Sequence, residues 1–449
     1  MTNSETKNFS QNVSSSYHLE DRGKCNKNTC ANARNVPKLR FKGYNDEWIE
    51  YKLDEKGVFL KGSPISKNDI SQCGKPCILY GELYTKYDEV ATKIFSVTDI
   101  QDKNLVTSKI NDVLIPSSGE TAIDISTATC ILNDDVILGG DLNIYRTKDC
   151  DGRFISYSIN HKNRRKIAKL AQGATIFHLY PNFLKKFKIL LPSLPEQEKI
   201  ASFLTLIDKK IEKQKELVEL LKKYKRGLLS AIFSQKLRFK DNNGNDYPAW
   251  EECRFDEIFK ILGNNTLSRE CLNYTNVGVK NIHYGDILVK YNTCINDEID
   301  QIPNINFDIN LDKISDDNYL KVGDVIMADT AEDYTVGKAC EIVSCKAKIL
   351  SGLHTIPCRP KRNFAKGYLG YYLNSTEYHD KLIPLITGIK VSAISKKEIK
   401  KTIIKYPIYK EQEKIANLLL LIENKLNSNI KKLELFETYK KGLLQQLFI

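Results

Sequence analysis

The sequence predicts an α+β protein with an internal repeat. Two globular domains each precede a long helix, and the two helices pair as a coiled coil. The main observation is a gapless self-match that places 195–234 on 410–449, which we call the repeat alignment. A second is an apolar stripe of helical period along both matched segments. A third is the alternation of short β-branched runs with Asn, Asp, Gly and Pro breaks elsewhere, which is typical of mixed α and β structure.

The repeat divides the chain into five segments. A chain of 449 residues exceeds what one hydrophobic core usually organises, so separate domains are expected. LRFKGYNDEW at 39–48 resembles LRFKDNNGNDYPAW at 237–250, with the only two tryptophans at the matching place, and NDVLI at 111–115 resembles GDVIM at 323–327. The predicted segments are a polar leader at 1–36, which we expect to be disordered, a first globular domain at 37–190, a first spacer helix at 191–235, a second globular domain at 236–405 and a second spacer helix at 406–449.

The matched segments predict two helices of about 39 residues, each a rod on the order of 58 Å long. EQEKIA is identical in both copies, and apolar residues recur at steps of three, four and seven, which suits a coiled-coil seam. In the first copy these are Ile200, Leu204, Ile207, Ile211, Val218, Leu221, Leu228 and Ile232. In the second copy they are Ile415, Leu419, Ile422, Leu426, Leu433, Phe436, Leu443 and Leu447.

One polar residue interrupts the stripe at the same place in both copies. Gln214 and Asn429 correspond in the repeat alignment and lie near the middle of their helices. In an antiparallel pair, residues at mid-helix meet, so a buried amide pair would fix the register of the helices at some cost in stability. Ordinary surface polarity explains the same pattern, and the sequence leaves both interpretations open.

Composition limits the class of protein. Hydrophobic residues at 41% and charged residues at 28% are ordinary globular values, which argues against wholesale disorder and a fibrous protein. The net charge of +12 permits a nucleic-acid partner without establishing one, because the excess is spread along the chain without a polybasic tail. No apolar run approaches the ~18 residues of a membrane helix, and the first residues lack the apolar core of a secretory signal. We therefore expect a cytoplasmic location and no membrane partner.

The common signatures of enzymes are absent from the sequence. It contains no phosphate-binding loop, no HExxH zinc motif and no GxSxG nucleophile elbow. It also has no Asn/Asp-Pro-Pro-Tyr/Phe segment of the kind that adenine methyltransferases use. The six histidines are scattered, and the twelve cysteines lack the paired spacing of a zinc site. We predict no catalytic residue and no metal site in this chain.

Basic clusters are the candidate DNA-binding residues. The densest lies within 161–166, and lesser ones lie in the second half of the chain. Lys and Arg held on a rigid domain displace counterions from phosphates, whereas a solvated helix face is the alternative for any one cluster. The candidates are Lys162, Arg164, Arg165, Lys166, Lys361, Arg362, Lys390, Lys396 and Lys397.

The chain resembles the specificity subunit of type I restriction-modification systems. The residues that carry the resemblance are Asn35–Phe41 (NVPKLRF), Leu194–Gln197 (LPEQ) and Glu411–Gln412, together with the duplication. The match spans 35–449, and the polar stretch at 1–34 is longer than the usual start of the family.

The resemblance implies two target recognition domains that each read one half of an asymmetric, bipartite site in double-stranded DNA. It also implies that the long helices hold these domains apart and pair as an antiparallel coiled coil about a pseudo-two-fold axis. It also implies two modification (methyltransferase) subunits and restriction (translocase/endonuclease) subunits as partners. Those partners would bind S-adenosylmethionine, ATP and Mg²⁺, so this chain would need no cofactor. Two alternatives stay open: a coiled-coil adaptor without a DNA role, and a fused restriction-modification enzyme.

Overall fold

The computed structural model describes residues 19–21, 35–102, 104–275, 277–388 and 391–449. Backbone contacts divide them into two compact units. The first unit comprises the chain up to Lys215 together with Lys431–Ile449, and the second comprises Glu216–Ile430. Each unit therefore contains one globular domain and half of each long helix. Of the predicted leader, the structure describes Leu19–Asp21, which pairs antiparallel with Leu39–Phe41, and residues 35–36; the rest lies outside the described residues.

The first unit begins with fourteen strands and three short helices. The strands are β1 (Leu19–Asp21), β2 (Leu39–Phe41), β3 (Ile49–Lys52), β4 (Gly57–Lys61), β5 (Lys75–Ile78), β6 (Val90–Ala91), β7 (Ser96–Thr98), β8 (Asp112–Pro116), β9 (Ser118–Gly119), β10 (Thr129–Ile131), β11 (Ile137–Leu138), β12 (Leu142–Thr147), β13 (Phe177–His178) and β14 (Lys188–Leu191). The helices are α1 (Gly152–Ser158), α2 (Arg164–Ala168) and α3 (Pro181–Lys185), with a π-helical turn at Ile159–Asn163. The first long helix, α4 (Leu194–Phe233), follows and continues into the second unit.

The second unit repeats this order. Its strands are β15 (Glu251–Arg254), β16 (Phe259–Ile261), β17 (Leu272–Asn273), β18 (Lys280–Ile282), β19 (Cys294–Asn296), β20 (Asn304–Ile305), β21 (Val325–Ala328), β22 (Thr330–Ala331), β23 (Ala339–Ser344), β24 (Ile349–Ser351), β25 (Thr355–Pro360), β26 (Ser392–Ala393) and β27 (Ile403–Tyr406). Its short helices are α5 (Phe255–Ile258), α6 (Tyr284–Val289), α7 (Tyr368–Leu373), α8 (Thr376–His379) and α9 (Lys396–Ile399). The second long helix, α10 (Tyr409–Leu447), ends in the first unit.

The main sheets of the two units have the same topology. The strand order is β4-β12-β8-β10-β6 in the first and β16-β25-β21-β23-β19 in the second. In both, the first three pairings are antiparallel and the last is parallel. Smaller sheets also correspond, since β3 pairs with β14 as β15 pairs with β27. The α+β class and the internal repeat are confirmed.

The similarity of NDVLI to GDVIM reflects a partly buried ion pair that occurs in both units. Asp112 on β8 accepts two hydrogen bonds from Arg146 on β12, at 3.0 and 2.8 Å. Asp324 accepts two from Arg359 on β25, at 2.9 and 2.8 Å. A bidentate pair of this kind fixes the alignment of neighbouring strands. Arg359, which opens one of the basic clusters, is therefore committed to the fold.

The two predicted long helices are confirmed, at 40 and 39 residues. Within the first unit, the start of α4 packs against the end of α10: Ile200 and Leu204 share a core with Leu443 and Leu447. Within the second unit, the end of α4 packs against the start of α10, through residues that include Ile232 and Leu419. Each unit by itself therefore shows antiparallel pairing. Among the described residues, no helix combines the length and the apolarity that spanning a bilayer requires.

The repeated LRF and EQ motifs connect each domain to the helix that follows it. Arg40 donates two hydrogen bonds of 2.7 Å to Glu196, and both side chains are only 1% exposed. Arg238 binds Glu411 in the same way, at 3.1 and 2.6 Å. The neighbouring glutamines act alike, since the Nε2 atoms of Gln197 and Gln412 donate to the carbonyls of Pro192 and Pro407, both at 2.8 Å. These motifs are structural and fix the direction in which each helix leaves its domain.

Candidate nucleic-acid interface

A short two-stranded ribbon extends one end of the main sheet in the first unit. β9 follows directly after β8 and pairs antiparallel with β13. The ribbon continues as a hairpin at 172–178, which Gln172 and His178 close by exchanging hydrogen bonds of 2.9 and 2.7 Å. Ser117 anchors it, because its carbonyl accepts from Leu179 N at 2.9 Å and its N–H donates to Asp141 O at 2.7 Å. We call β9 and residues 172–178 the first ribbon.

The second unit contains the same construction. β22 pairs antiparallel with β26, and Thr387 and Ala393 close the hairpin with hydrogen bonds of 2.9 and 2.8 Å. Asp329 takes the place of Ser117: its carbonyl accepts from Ile394 N at 2.9 Å and its N–H donates to His354 O at 3.1 Å. We call β22 and the described residues of 387–393 the second ribbon. The two ribbons share the same backbone hydrogen bonds.

A glycine makes each hairpin possible. Gly173 has φ +135° and Gly388 has φ +108°, and the two correspond when the repeat alignment is extended toward the N-terminus without a gap. A Cβ atom at Gly173 would lie 2.0 Å from Ile176 O, and one at Gly388 would lie 2.0 Å from Val391 O. Any other residue would clash with the backbone, so the turn requires glycine at both places.

Side chains at equivalent positions of the two ribbons differ in chemistry. In the first unit, exposed His178 stacks on Tyr180 with ring centroids 6.0 Å apart, and Tyr180 contacts Phe183. The extended repeat alignment places Ala393, Ser395 and Glu398 at the matching positions of the second unit. The backbone is thus repeated while the surface it presents is not.

The comparisons with known proteins agree with this architecture. Residues 45–222 match the family model described as the type I restriction modification DNA specificity domain. The type I restriction enzyme MjaVIII specificity subunit of Methanocaldococcus jannaschii is 24% identical over 432 residues, which cover 90% of this chain and 92% of that protein. Residues 45–222 thus carry this DNA specificity domain, and over most of its length the chain is similar to a type I restriction enzyme specificity subunit.

Two further proteins resemble this chain. The putative type I restriction enzyme MjaX specificity subunit of the same organism is 25% identical over 307 residues, which cover 66% of each chain. The crystal structure of the type I restriction-modification system S subunit from M. genitalium covers 92% of this chain and 99% of its own, with a TM-score of 0.57 at 17% identity. That structural likeness concerns the fold.

The basic residues predicted in the first unit lie just before the first ribbon. Lys162, Arg165 and Lys166 are exposed, and Arg164 Nε donates to Ile123 O at 3.1 Å. Helix α2, which carries three of these four residues, ends at Ala168. The N–H groups of Leu170 and Ala171 donate to the carbonyls of Ile167 and Ala168, so a turn connects the helix to Gln172. Lys162 also lines a concavity of about 470 Å³ with Lys441 of α10, a lysine that our sequence analysis did not single out.

The predicted basic residues of the second unit fall into two places. Lys396 begins α9 and donates to Asn264 Oδ1 at 2.9 Å, while Asn264 Nδ2 donates to Gly352 O at 3.3 Å. Lys396 and exposed Lys397 thus lie beside the second ribbon, close to the loop that carries His354.

Lys361 and Arg362 follow the far end of β25. Lys361 Nζ donates to Asp256 O at 2.7 Å, and Arg362 contacts Glu251 and Tyr406. The structure therefore does not bring these two residues together with Lys396 and Lys397. Lys390 lies outside the described residues. A DNA-binding role for each of the basic residues stays a prediction.

The two predicted register residues have different surroundings. Gln214 is buried at 6% exposure in the first unit. Asn429, in the second unit, donates through Nδ2 to Lys425 O of its own helix at 2.7 Å. Their proposed role in fixing helix register stays a prediction.

A buried cluster of charges joins the first domain to the helices. Lys440 of α10 donates to Glu89 at 2.9 Å and contacts Asp208 of α4 at 2.7 Å, Tyr157 donates to Asp208, and His161 contacts Glu89 at 2.6 Å. Burial alone would raise the pKa of Glu89, but His161 and Lys440 outweigh it and lower that pKa. Burial would likewise lower the pKa of Lys440, yet the two carboxylates raise it to about 12. Glu89 and Lys440 therefore stay charged at neutral pH, and their ion pair links the first domain to α10.

No group of three or more His, Cys, Asp or Glu is placed to hold a metal ion within the ranges that the structure describes.

The ribbons were not predicted, although the sequence contains a signal for them. Extending the repeat alignment toward the N-terminus matches Gly173 with Gly388 and Pro192 with Pro407.

Proposed function

We propose that this specificity subunit reads an asymmetric, bipartite site in double-stranded DNA, with one globular domain on each half-site. The proposal rests on one observation: the ribbons of the two units have the same backbone structure but present different side chains at their surfaces. Two domains of one topology would meet two DNA segments in the same way, while different side chains select different bases. Exposed basic residues beside both ribbons, Lys166 and Lys397 among them, fit the phosphate contacts that such binding needs.

The repeated helices support docking of two identical partners. Leu206 and Leu421 correspond in the repeat alignment and are 51% and 67% exposed, so both copies present an apolar side chain at the same place. Gly227 and Gly442 are likewise equivalent, and a Cβ at either would meet no described atom within 4 Å. Glycine inside a helix costs about 1 kcal/mol relative to alanine, so its presence in both copies suits a closely approaching partner.

We therefore assign one modification subunit to each copy of this surface, with restriction subunits joining the complex. S-adenosylmethionine, ATP and Mg²⁺ belong to those partners in this proposal. Type I specificity subunits are non-catalytic, so this chain provides the recognition of the site and its partners provide the chemistry.

The test is co-expression of this chain with the modification subunit encoded beside it, in a host that lacks adenine methylation, followed by mapping of N6-methyladenine across the DNA. We expect a two-part motif with a fixed gap that disappears when this chain is omitted. Methylation by this chain alone would favour the fused enzyme instead.

If neither culture is methylated, binding of DNA by the purified complex decides. Affinity that falls steeply with salt supports the proposal, because phosphate contacts release counterions. A complex that assembles but has no salt-dependent affinity for DNA would identify the chain as a coiled-coil adaptor.

A further inference from the structure

We infer that the two ribbons are the elements that read bases, and that the exposed side chains of the hairpins at 172–178 and 387–393 set the two half-sites. The inference rests on the proposed function and names the residues that carry it. In the first hairpin these are Gln172, Thr175, Ile176 and His178; in the second they are Thr387 and Val391, with half-buried Ala393 beside them.

The shape of the ribbons fits a groove of the duplex. A two-stranded β-ribbon is one of the elements that the major groove admits. The run 172–176 is exposed almost throughout, so the tip of the first ribbon projects from its domain. In the second ribbon Thr387, Gly388 and Val391 are exposed in the same way.

The backbone of each ribbon is held firmly enough to aim side chains. Paired hydrogen bonds close each hairpin, and the anchoring residue bonds to the loops on both sides. The residues whose carbonyls accept from Ser117 and Asp329 share an unusual backbone conformation, since Asp141 has φ 56° and His354 has φ 55°. Positive φ is uncommon outside glycine, and its occurrence at both places marks a conformation that the fold imposes.

One feature of the tips is shared. Ile176 and Val391, which correspond in the extended repeat alignment, are 55% and 52% exposed. A β-branched apolar side chain on a projecting tip suits contact with the methyl group of thymine or with the wall of the groove. The two half-sites would then include one apolar contact of the same kind.

The remaining positions differ in the way that base reading requires. Gln172 offers an amide, which can bond to adenine through two hydrogen bonds, whereas Thr387 offers one hydroxyl. His178 offers a ring nitrogen where Ala393 has none. The exposed carboxylate of Asp141 can only accept hydrogen bonds, whereas the ring of His354 at the equivalent place can donate one. Equal backbones with unequal donors and acceptors are what two different half-sites need.

Basic residues lie close in the sequence to each ribbon. In the first unit α2 ends four residues before Gln172, and in the second unit α9 begins three residues after Ala393. Phosphate contacts set the register of a protein on DNA, while base contacts carry the sequence information. Basic residues beside the ribbons would therefore set the register, and the ribbons would carry the base contacts.

The experiment uses the complete complex of this chain with its modification subunit, and it compares Gln172→Thr and His178→Ala with the parent by methylation mapping. We expect altered preference at positions of one half-site only, by roughly 5- to 150-fold for the affected base. The gap and the other half-site should not change. Thr387→Gln and Ala393→His should change the other half-site.

Lys148→Ala is the matched control, since this exposed residue follows the end of β12 opposite to Asp141. Co-purification with the modification subunit shows that each variant assembles, and Gln172→Thr is conservative enough to fold if His178→Ala is not. Unchanged base preference in assembled variants of both hairpins overturns the inference, and so does an equal loss at every sequence. If the parent complex itself directs no methylation and binds no DNA, the proposed function fails and the inference fails with it.

Discussion

Each unit has a lysine at the equivalent position of its long helix, but the two lysines form different ion pairs. Lys225 and Lys440 correspond in the repeat alignment, and each contacts the acidic residue at the equivalent place on the other long helix, Glu423 or Asp208. Lys440 alone also binds an acid of the globular domain, Glu89, which His161 contacts in turn. The second unit therefore bridges helix to helix, whereas the first bridges both helices to its domain. The ion pair between the two helices is thus repeated in both units, whereas the ion pair between helix and domain occurs in the first unit.

A second difference lies in the centre of the main sheets. Pairing with Val113 and Val325 shows that Cys130 of β10 and Glu341 of β23 occupy equivalent positions. Both are buried, but Glu341 accepts hydrogen bonds from Gly367 N at 2.7 Å and Gly370 N at 2.9 Å. A carboxylate thus holds α7 in the second unit where the first unit has a thiol. The same topology thus accommodates a carboxyl group in one copy and a thiol in the other.

Removing the lysine should have the largest effect and should distinguish the two units. Lys440→Met leaves buried Glu89 with His161 alone and partly buried Asp208 without its cation, which costs on the order of 3–5 kcal/mol. Lys225→Met leaves Glu423 alone and should cost less. Hydrogen exchange of amides in each unit measures both effects. Equal losses would mean that the contact with Glu89 adds no stability to the first unit.

The Arg–Glu pairs at the domain–helix junctions sharpen the same comparison. The Arg40 side chain is 1% exposed and that of Arg238 is 24% exposed, while both glutamates are fully buried. We expect Arg40→Met to destabilise its unit by about 3–5 kcal/mol and Arg238→Met by less, because water can reach the second site. Limited proteolysis at the starts of α4 and α10 is the measurement. A larger effect of Arg238→Met would contradict the ranking by burial.

The pH dependence of stability should separate Glu341 from Cys130. Burial raises the pKa of Glu341 to about 7, although hydrogen bonds from Gly367 and Gly370 oppose the shift. Because this carboxyl binds its proton more tightly in the folded state, its contribution is complete below about pH 4.3 and is lost as the pH rises toward 7. The loss is on the order of 3 kcal/mol. Burial raises the pKa of Cys130 as well, so that thiol stays neutral throughout this range.

Denaturant unfolding of the parent and of Glu341→Gln between pH 5 and pH 8 tests this expectation. The difference in stability between the two proteins should change with pH, since the glutamine cannot ionise. Cys130→Ser is the matched variant in the first unit, and its difference from the parent should stay constant. A constant difference for Glu341→Gln would show that this carboxyl is ionised already at pH 5.

How much of this could be predicted from the sequence depends on the range of each interaction. The helices, the repeat and the α+β class follow from periodicity, which is a local signal, and from comparing the sequence with itself. The ribbons were within reach of the same alignment, through Gly173 and Gly388. The charged cluster was not, because Glu89 and Lys440 are separated by 351 residues and neither is unusual in its own segment. The commitment of Arg359 to Asp324 likewise depends on strand pairing that composition does not reveal.

Phosphate contacts should produce the smallest effect, and they test the last asymmetry between the units. The basic cluster of the first unit precedes its ribbon, and its matches at 376–381 read TEYHDK, which is not basic. We expect Arg165→Ala with Lys166→Ala to lower the slope of log affinity against log salt by about 1.8, equally on target and random DNA. Lys397→Ala should lower it by about 0.9, and the control Lys148→Ala should not change it. An unchanged slope in the double variant would identify α2 as a solvated helix face, and the first ribbon would then need its anchor elsewhere, with Lys162 and Lys441 as the remaining pair.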